Sequence, residues 1–507
     1  MKKITAFVLS LVTVLMLVLA SCGTGGKNGP SVTSGLPEVT HMIDSQGSDT
    51  VEPGSAYLDA SGKYFSPTAE ENKYEGREFR IWTNSPENNV WYDMDFSVTG
   101  DSENAVESAT YRRISETEGL LGVKISALPV GAWIGVDEEL RSVLSGTNEF
   151  EALMTNVRSA AVLSREGFFA DLRSTEIQLD APWWDQNLIS DLEIGKSLYM
   201  TTGDISIGYK KSLSAIMFNQ NMINDYIGTE PFGNGDLYSL VEKNDWSWDR
   251  LISMSKAIGK DVNGNGREDV EDVYGYLFFN DSGAIDLIGC GIKMISKDNN
   301  GKPVDTFWNE RTVSAWEKLV DLFYSDFASY NGEWKTFDNT NMYLNNQVCF
   351  LALELHSIED FRNMQADFGI LPLPKFTEDQ EYATTVNPNV ACLLAIPKNC
   401  PDTEFVSTVL DVLGAKSKNY LTPAYCDSYM TRVYRDERML DMLEIVFSTV
   451  SYDMGYMYNW GGIGLLAPLL IYNKGQDLSS EYAAIKELVA FEIENAISDY
   501  ASLEKLS

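Results

Sequence analysis

The 507-residue chain carries 39 Lys and Arg against 74 Asp and Glu, a formal net charge of −35. That balance argues against nucleic acid and anionic lipid surfaces as partners, because phosphate binding needs clustered basic side chains; the acids are dispersed and read as a highly solvated surface. Only two histidines occur, His41 and His356, which leaves little room for histidine-based zinc sites or Ser-His-Asp catalysis.

Lys2 and Lys3 precede an apolar run over residues 4–19, interrupted by Thr5, Ser10 and Thr13. The run is shorter than the roughly 20 apolar residues that cross a bilayer as a helix, so it fits the h-region of a signal peptide. It ends in Leu19-Ala20-Ser21-Cys22, which resembles the lipobox of bacterial lipoproteins. The resemblance implies a signal peptide over residues 1–21, cleavage before Cys22 and lipid on that cysteine. Two or more acyl chains anchor stably where one anchors marginally. Residues 22–74 are rich in Gly, Ser, Thr, Pro and acids; they are expected to form a flexible linker, because they bury too little apolar surface to offset ordering entropy. No later stretch is a transmembrane candidate.

The remaining body is too long for one core and is expected to split into two lobes. Residues 78–83 alternate as a strand and break into Asn84-Ser85-Pro86. Residues 103–118 carry Val106, Ala109, Thr110 and Ile114 at helical spacing, Gly119 and Gly122 close the helix, and residues 123–128 form the next strand. Asp137 reads as the N-cap of a helix facing Leu140, Val143 and Leu144 inward. Residues 150–155 form a third strand, and this β-α-β-α-β order predicts an α/β fold with a parallel, doubly wound sheet. Residues 197–219 read as an extended crossing segment. Helices follow over 221–226, 248–258 (with Ser247 as cap) and 312–323, strands over 368–373 and 390–396, and a final helix over 481–503 with Tyr482, Ile485, Val489, Ile493, Ala496 and Tyr500 on one stripe. The cysteines Cys290, Cys349, Cys392, Cys400 and Cys426 lack paired spacing; they read as buried thiols, with pairing of Cys392 and Cys400 left open.

The ordered landmarks resemble the extracellular solute-binding proteins of ABC importers, the family-1, maltose-binding-like class. The resemblance is carried by the lipobox, Phe79-Arg80-Ile81-Trp82-Thr83, Phe168-Phe169-Ala170-Asp171-Leu172, Met217-Phe218-Asn219-Gln220, Asn244-Asp245-Trp246-Ser247-Trp248-Asp249-Arg250-Leu251, the loop 261–272 into Tyr274-Gly275-Tyr276, and Phe368-Gly369-Ile370-Leu371-Pro372-Leu373-Pro374-Lys375. One departure is Phe218-Asn219-Gln220, where family members often have Tyr-Asn-Lys. The resemblance implies a two-lobed, periplasmic-binding-protein-like fold of type II, with a ligand cleft between lobes joined by crossing hinge segments. The expected division places residues 75–216 with about 371–425 in the first lobe, and 217–370 with about 426–507 in the second. It further implies solute capture without catalysis, delivery to ABC permease subunits, a monomer, and a lipid-anchored position on the outer face of the cell membrane of a monoderm bacterium.

Ligands of such sheets sit beyond the carboxyl ends of strands, which singles out Thr83, Asn84, Ser85, Asn156 and Arg158; ordinary polar loop residues are the alternative. A sugar also needs flat apolar faces with polar handles, and the chain has 11 Trp and 25 Tyr. Trp91, Trp183 and the segment 451–462, with Tyr456 and Trp460, are therefore candidates, against a reading as core aromatics. Asp204 and Asn387 complete the candidate ligand-facing set. Asp261, Asn263, Asn265, Arg267 (through its carbonyl), Asp269 and Asp272 fall at EF-hand-like positions around Gly266 and point to structural calcium. Asp272 in place of Glu and the helix-then-strand flanks depart from that pattern, and a Gly-Asn turn without an ion is the alternative. Rival functions are an exported glycan-processing enzyme, for which Glu354, His356 and Asp360 form the best cluster, and a surface lipoprotein acting as a sensor subunit.

Overall fold

The computed structural model describes residues 55–84, 95–96, 100, 102–130, 136–146, 149–332, 340–433 and 437–505. Two sheets organise them. The first is built from β1 (Arg77–Asn84), β2 (Val123–Val130) and β3 (Ala152–Asn156). β1 pairs in parallel with both β2 and β3. Parallel strands covered on both faces need continuous apolar runs rather than alternation, and all five residues of β3 are buried. The helix Ala105–Leu121 between β1 and β2 starts where the Asn104 side chain accepts from the Val106 and Glu107 amides. It stops at Gly122, whose φ of 68° suits a residue without Cβ. The next helix, Val136–Leu144, begins one residue before Asp137, so that aspartate lies in the first turn rather than at the cap; its charge there still favours the helix dipole.

The second sheet follows β4 (Ser214–Asn219) and β5 (Tyr274–Phe278), then a small hairpin of β6 (Ile295–Lys297) and β7 (Pro303–Asp305). β8 (Ser329–Asn331), β9 (Val348–Glu354) and β10 (Phe368–Leu371) complete it, in the order β10-β4-β9-β5-β8. β11 (Cys392–Ala395) returns to the first sheet, antiparallel to β3, giving the order β11-β3-β1-β2 among the described residues. Each sheet thus receives one antiparallel strand from the chain that has just left the other, the signature of two lobes joined by crossovers. The crossing chains pair with each other. Leu213 bridges Val386 antiparallel, the Ser214 amide donates to the Thr385 carbonyl at 3.1 Å, and the Asn387 amide donates to the Ser212 carbonyl at 3.2 Å. A third chain joins them where the Thr384 amide donates to the Thr449 carbonyl at 3.0 Å. The expected crossing segment 197–219 is therefore not one extended run: it contains the short helix Ile207–Lys211 before β4.

Residues 55–74, expected as part of the flexible linker, lie on the first lobe. Tyr57 packs edge-on against Trp183, with ring centroids 5.2 Å apart, and Tyr74 against Phe405 at 4.7 Å. The Asn72 amide donates to the Leu120 carbonyl at 2.8 Å. Tyr57, Tyr64 and Tyr74, spaced along a polar segment, pack against the core and dock it. The long helix Thr403–Val433, which contains Pro423, packs beside Ala105–Leu121. The C-terminal helix Leu478–Leu503 buries Val489, Ile493, Ala496 and Tyr500. Cys290, Cys349, Cys392, Cys400 and Cys426 are thiols rather than disulfides. Among the described residues no helix is long and apolar enough to cross a membrane.

Candidate functional site

In open α/β sheets the carboxyl ends of the strands face the ligand crevice. Here β1 ends at Asn84 and β3 at Asn156, while β5 leads into Asp281 and β9 ends at Glu354. Asn156 caps the following helix Val157–Arg165, its Oδ1 accepting from the Ser159 amide at 2.9 Å. That cap fixes Arg158 in the first turn, and the turn is stitched to the returning crossover: the Val157 amide donates to Ala391 at 3.1 Å and the Arg158 amide to Pro388 at 3.3 Å. The same crossover positions Asn387, whose amide nitrogen donates to Glu354 Oε1 at 2.9 Å. A side chain from the hinge is thereby tied to the end of a strand in the second sheet.

Tyr456 completes the cluster. It belongs to the short helix Met454–Tyr458, started by Asp453 Oδ1 accepting from the Tyr456 amide at 2.9 Å. Asp453 Oδ2 also accepts from the Met294 amide at 2.6 Å, so one buried carboxylate fixes this helix to the second lobe. Burial chiefly pushes the Asp453 pKa up to about 6, against the lowering effect of the amides it accepts. The Arg158 guanidinium lies over the Tyr456 ring, 5.7 Å from its centroid. Among the described residues neither η-nitrogen of Arg158 nor the Tyr456 hydroxyl has a hydrogen-bond partner, although all three atoms are buried.

The electrostatics follow from burial. It holds the Arg158 pKa below the usual arginine value, against the raising influence of Tyr456 and Asp281. It raises Glu354, while the Asn387 hydrogen bond works in the opposite direction. His356, just beyond β9, is pushed down to about 3, first by burial and then by nearby Lys211, so it is neutral at pH 7. The cluster therefore offers one guanidinium and one phenol as donors and the Asp281 and Glu354 carboxyls as acceptors, drawn from both lobes and the hinge.

The other sequence candidates are placed as follows. Trp183 is fully buried, and its indole and that of Trp184 both donate to Asp411 Oδ1, at 3.3 and 2.9 Å. Asp204 is buried against Lys210 (3.4 Å) and Lys418 (3.2 Å) and accepts from the Thr422 hydroxyl at 2.6 Å. Trp183, Trp184, Asp204, Lys210 and Lys418 line a cavity of about 240 Å³ that reaches Asp185, Tyr209 and Phe447. Trp460 stacks on Tyr458 with centroids 4.8 Å apart and packs toward the C-terminal helix. Ser85, Trp91 and Cys22 lie outside the described residues. Of the candidates, Arg158, Asn387 and Tyr456 come together; Trp183 and Asp204 meet elsewhere. Asp281 and Glu354 were not in the candidate set as ligand-facing groups, although the strand-end rule that selected Asn156 and Arg158 applies equally to β5 and β9.

In the 261–272 loop, Asp261 accepts from the Gly264 and Gly266 amides at 2.7 and 2.8 Å, and Asp272 from Val262 and Asp269 at 3.0 and 3.1 Å. Asn263 and Asn265 donate to Asp269, and the Arg267 amide donates to Asn265. The loop closes on its own backbone donors. Among the described residues no group of three or more His, Cys, Asp or Glu is arranged to hold a metal.

No protein-family model matches the sequence, and a search of curated proteins finds no match. Solved structures do match. The ABC substrate-binding protein from Listeria monocytogenes in complex with cycloalternan superposes with a TM-score of 0.52 at 11% identity, covering 82% of this chain and 98% of its own. UgpB from Mycobacterium tuberculosis in complex with glycerophosphocholine gives 0.54 at 14%, covering 79% and 100%. A cyclo/maltodextrin-binding protein complexed with maltotetraose gives 0.51 at 12%, covering 85% and 98%. The chain has the two-lobed fold of ABC transporter solute-binding proteins. The likeness spans nearly the whole length of those proteins, so both lobes and their crossovers are shared; at such identities it is a likeness of fold.

Proposed function

We propose that this chain is the substrate-binding lipoprotein of an ABC importer. It captures an extracellular solute, a sugar or oligosaccharide, by closing its lobes around it and delivers it to membrane permease subunits. The observation that carries this reading is the position of the Arg158–Tyr456–Glu354–Asn387 cluster: donors and acceptors from two lobes converge beside three crossing chains that can act as the hinge. The site has a guanidinium, a phenol face and carboxyls, the groups that hold hydroxyls and ring C–H surfaces. The solved structures of this fold with cycloalternan and maltotetraose bound support the carbohydrate class. The function is binding without turnover, by a monomer.

In the same reading Cys22 carries the lipid that keeps the receptor at the outer face of a monoderm cell membrane, and residues 23–54 form the tether. Calcium at the 261–272 loop is a separate proposal, supported by the turn that sets the Asn263 and Asn265 side chains against Asp269. A thermal-shift screen of mono- and oligosaccharides, with and without calcium, tests these points, since a ligand of the native state stabilises it by mass action. A rise in melting temperature without product formation is expected. Shifts with peptides alone would remove the carbohydrate class, product formation would favour the enzyme, and a melting temperature indifferent to calcium would remove the ion. Cys22→Ala is expected to release the protein from membranes with binding intact.

A further inference from the structure

The cleft cluster has one feature that a site for neutral sugars does not require. Both Arg158 η-nitrogens are buried without a hydrogen-bond partner among the described residues. Burying a charge without a partner is costly, and the acids nearby do not discharge that cost through contact. Glu354 is engaged by Asn387 at 2.9 Å, and Asp281 acts on Arg158 through space. The Tyr456 hydroxyl beside the guanidinium is a second buried donor without a partner among the described residues. Two parallel η N–H groups form the planar fork that fits carboxylate or phosphate oxygens in bidentate fashion.

We infer that the ligand carries an anionic group, a carboxylate or phosphate, which seats on the Arg158 fork and accepts from the Tyr456 hydroxyl, while its hydroxyls face the carboxyls of Glu354 and Asp281. This rests on the receptor reading above and narrows it from sugars in general to acidic sugars. The geometry divides the labour: the first lobe supplies the cation and the second supplies acceptors. An anion can then offset the buried guanidinium, whereas a neutral hydroxyl leaves its charge uncompensated.

The test is calorimetric titration of the full chain with a galacturonate oligosaccharide, its neutral methyl ester, a sugar phosphate and glycerol phosphate. The acidic ligand is expected to bind at least tenfold more tightly than its methyl ester. Arg158→Met should abolish that preference, and Arg158→Lys, which keeps the charge but loses the fork, should retain part of it. Arg158→Met is also expected to melt no lower than the unsubstituted chain without ligand, because it removes an uncompensated buried charge; a purely structural arginine would give the opposite shift. If the phosphates bind and the uronate does not, the anion is phosphate. If glycerol phosphate binds in an Arg158-dependent way while no glycan does, the anion seat stands and the sugar class falls. If the methyl ester binds as tightly as the acid, or if Arg158→Met weakens both equally, the inference is overturned while the receptor reading stands. If none of the four probes binds, the inference is overturned.

Discussion

The cleft cluster and the cavity below Trp184 are built from similar parts and treat them in opposite ways. Around the cavity every buried charge is answered. Asp204 meets Lys210, Lys418 and Thr422, and Asp185 accepts from the Tyr209 and Tyr452 hydroxyls at 2.5 and 2.9 Å. In the cleft the Arg158 fork and the Tyr456 hydroxyl lack partners among the described residues. A satisfied network rigidifies the fold, whereas unsatisfied donors forfeit stability to the site that uses them. The presence of aromatic and charged groups is therefore a poor guide to a binding site; what they have left to give is a better one.

That contrast can be broken first at Asp204. Its removal leaves Lys210 buried without its acid, so Asp204→Ala is expected to cost about 3–5 kcal/mol of unfolding free energy, measured by urea denaturation, with the ligand specificity of the folded fraction unchanged. A loss under 1 kcal/mol would show that the cavity is not the structural half of the pair. Asp411 gives the next largest effect. Burial chiefly raises its pKa to about 7, although the Trp184 and Trp183 indoles and the Gln178 amide act to lower it. An acid whose folded pKa exceeds its unfolded value contributes stability that is complete below the unfolded pKa and is lost as pH rises through the folded one. Asp411→Asn should therefore gain on the unsubstituted chain by ~2 kcal/mol between pH 5 and pH 8. A pH-independent difference would contradict the burial argument. Tyr456→Phe is expected to give the smallest stability change, because the hydroxyl it removes has no partner among the described residues, while weakening the ligand several-fold in calorimetry.

Much of the frame was legible in the sequence. The helix Trp248–Ile258 was expected at those bounds, because Ser247 caps it, the apolar spacing is helical and Gly259 follows. β10 and β11 were legible as short apolar runs between polar turns. Residues 55–74 were not, since Tyr57 and Tyr74 dock through partners far along the chain, Trp183 and Phe405. The helix Thr403–Val433 escaped because it is apolar on several sides and carries Pro423, which blurs the periodicity. In the site, Arg158 was visible from its place after β3. Glu354 was not, because its role depends on Asn387 arriving through the second crossover. Trp183 and Trp184 looked like a sugar platform, yet nothing local announces that Asp411 waits to accept both indoles.

The most direct test of the central claim, that the ligand lies between the lobes at Arg158, is hydrogen–deuterium exchange on the full chain with and without a ligand found by thermal shift. Protection is expected at residues 156–158, 354–356 and 454–458, with little change at 183–187 and 416–422. Protection confined to the latter two segments would contradict it.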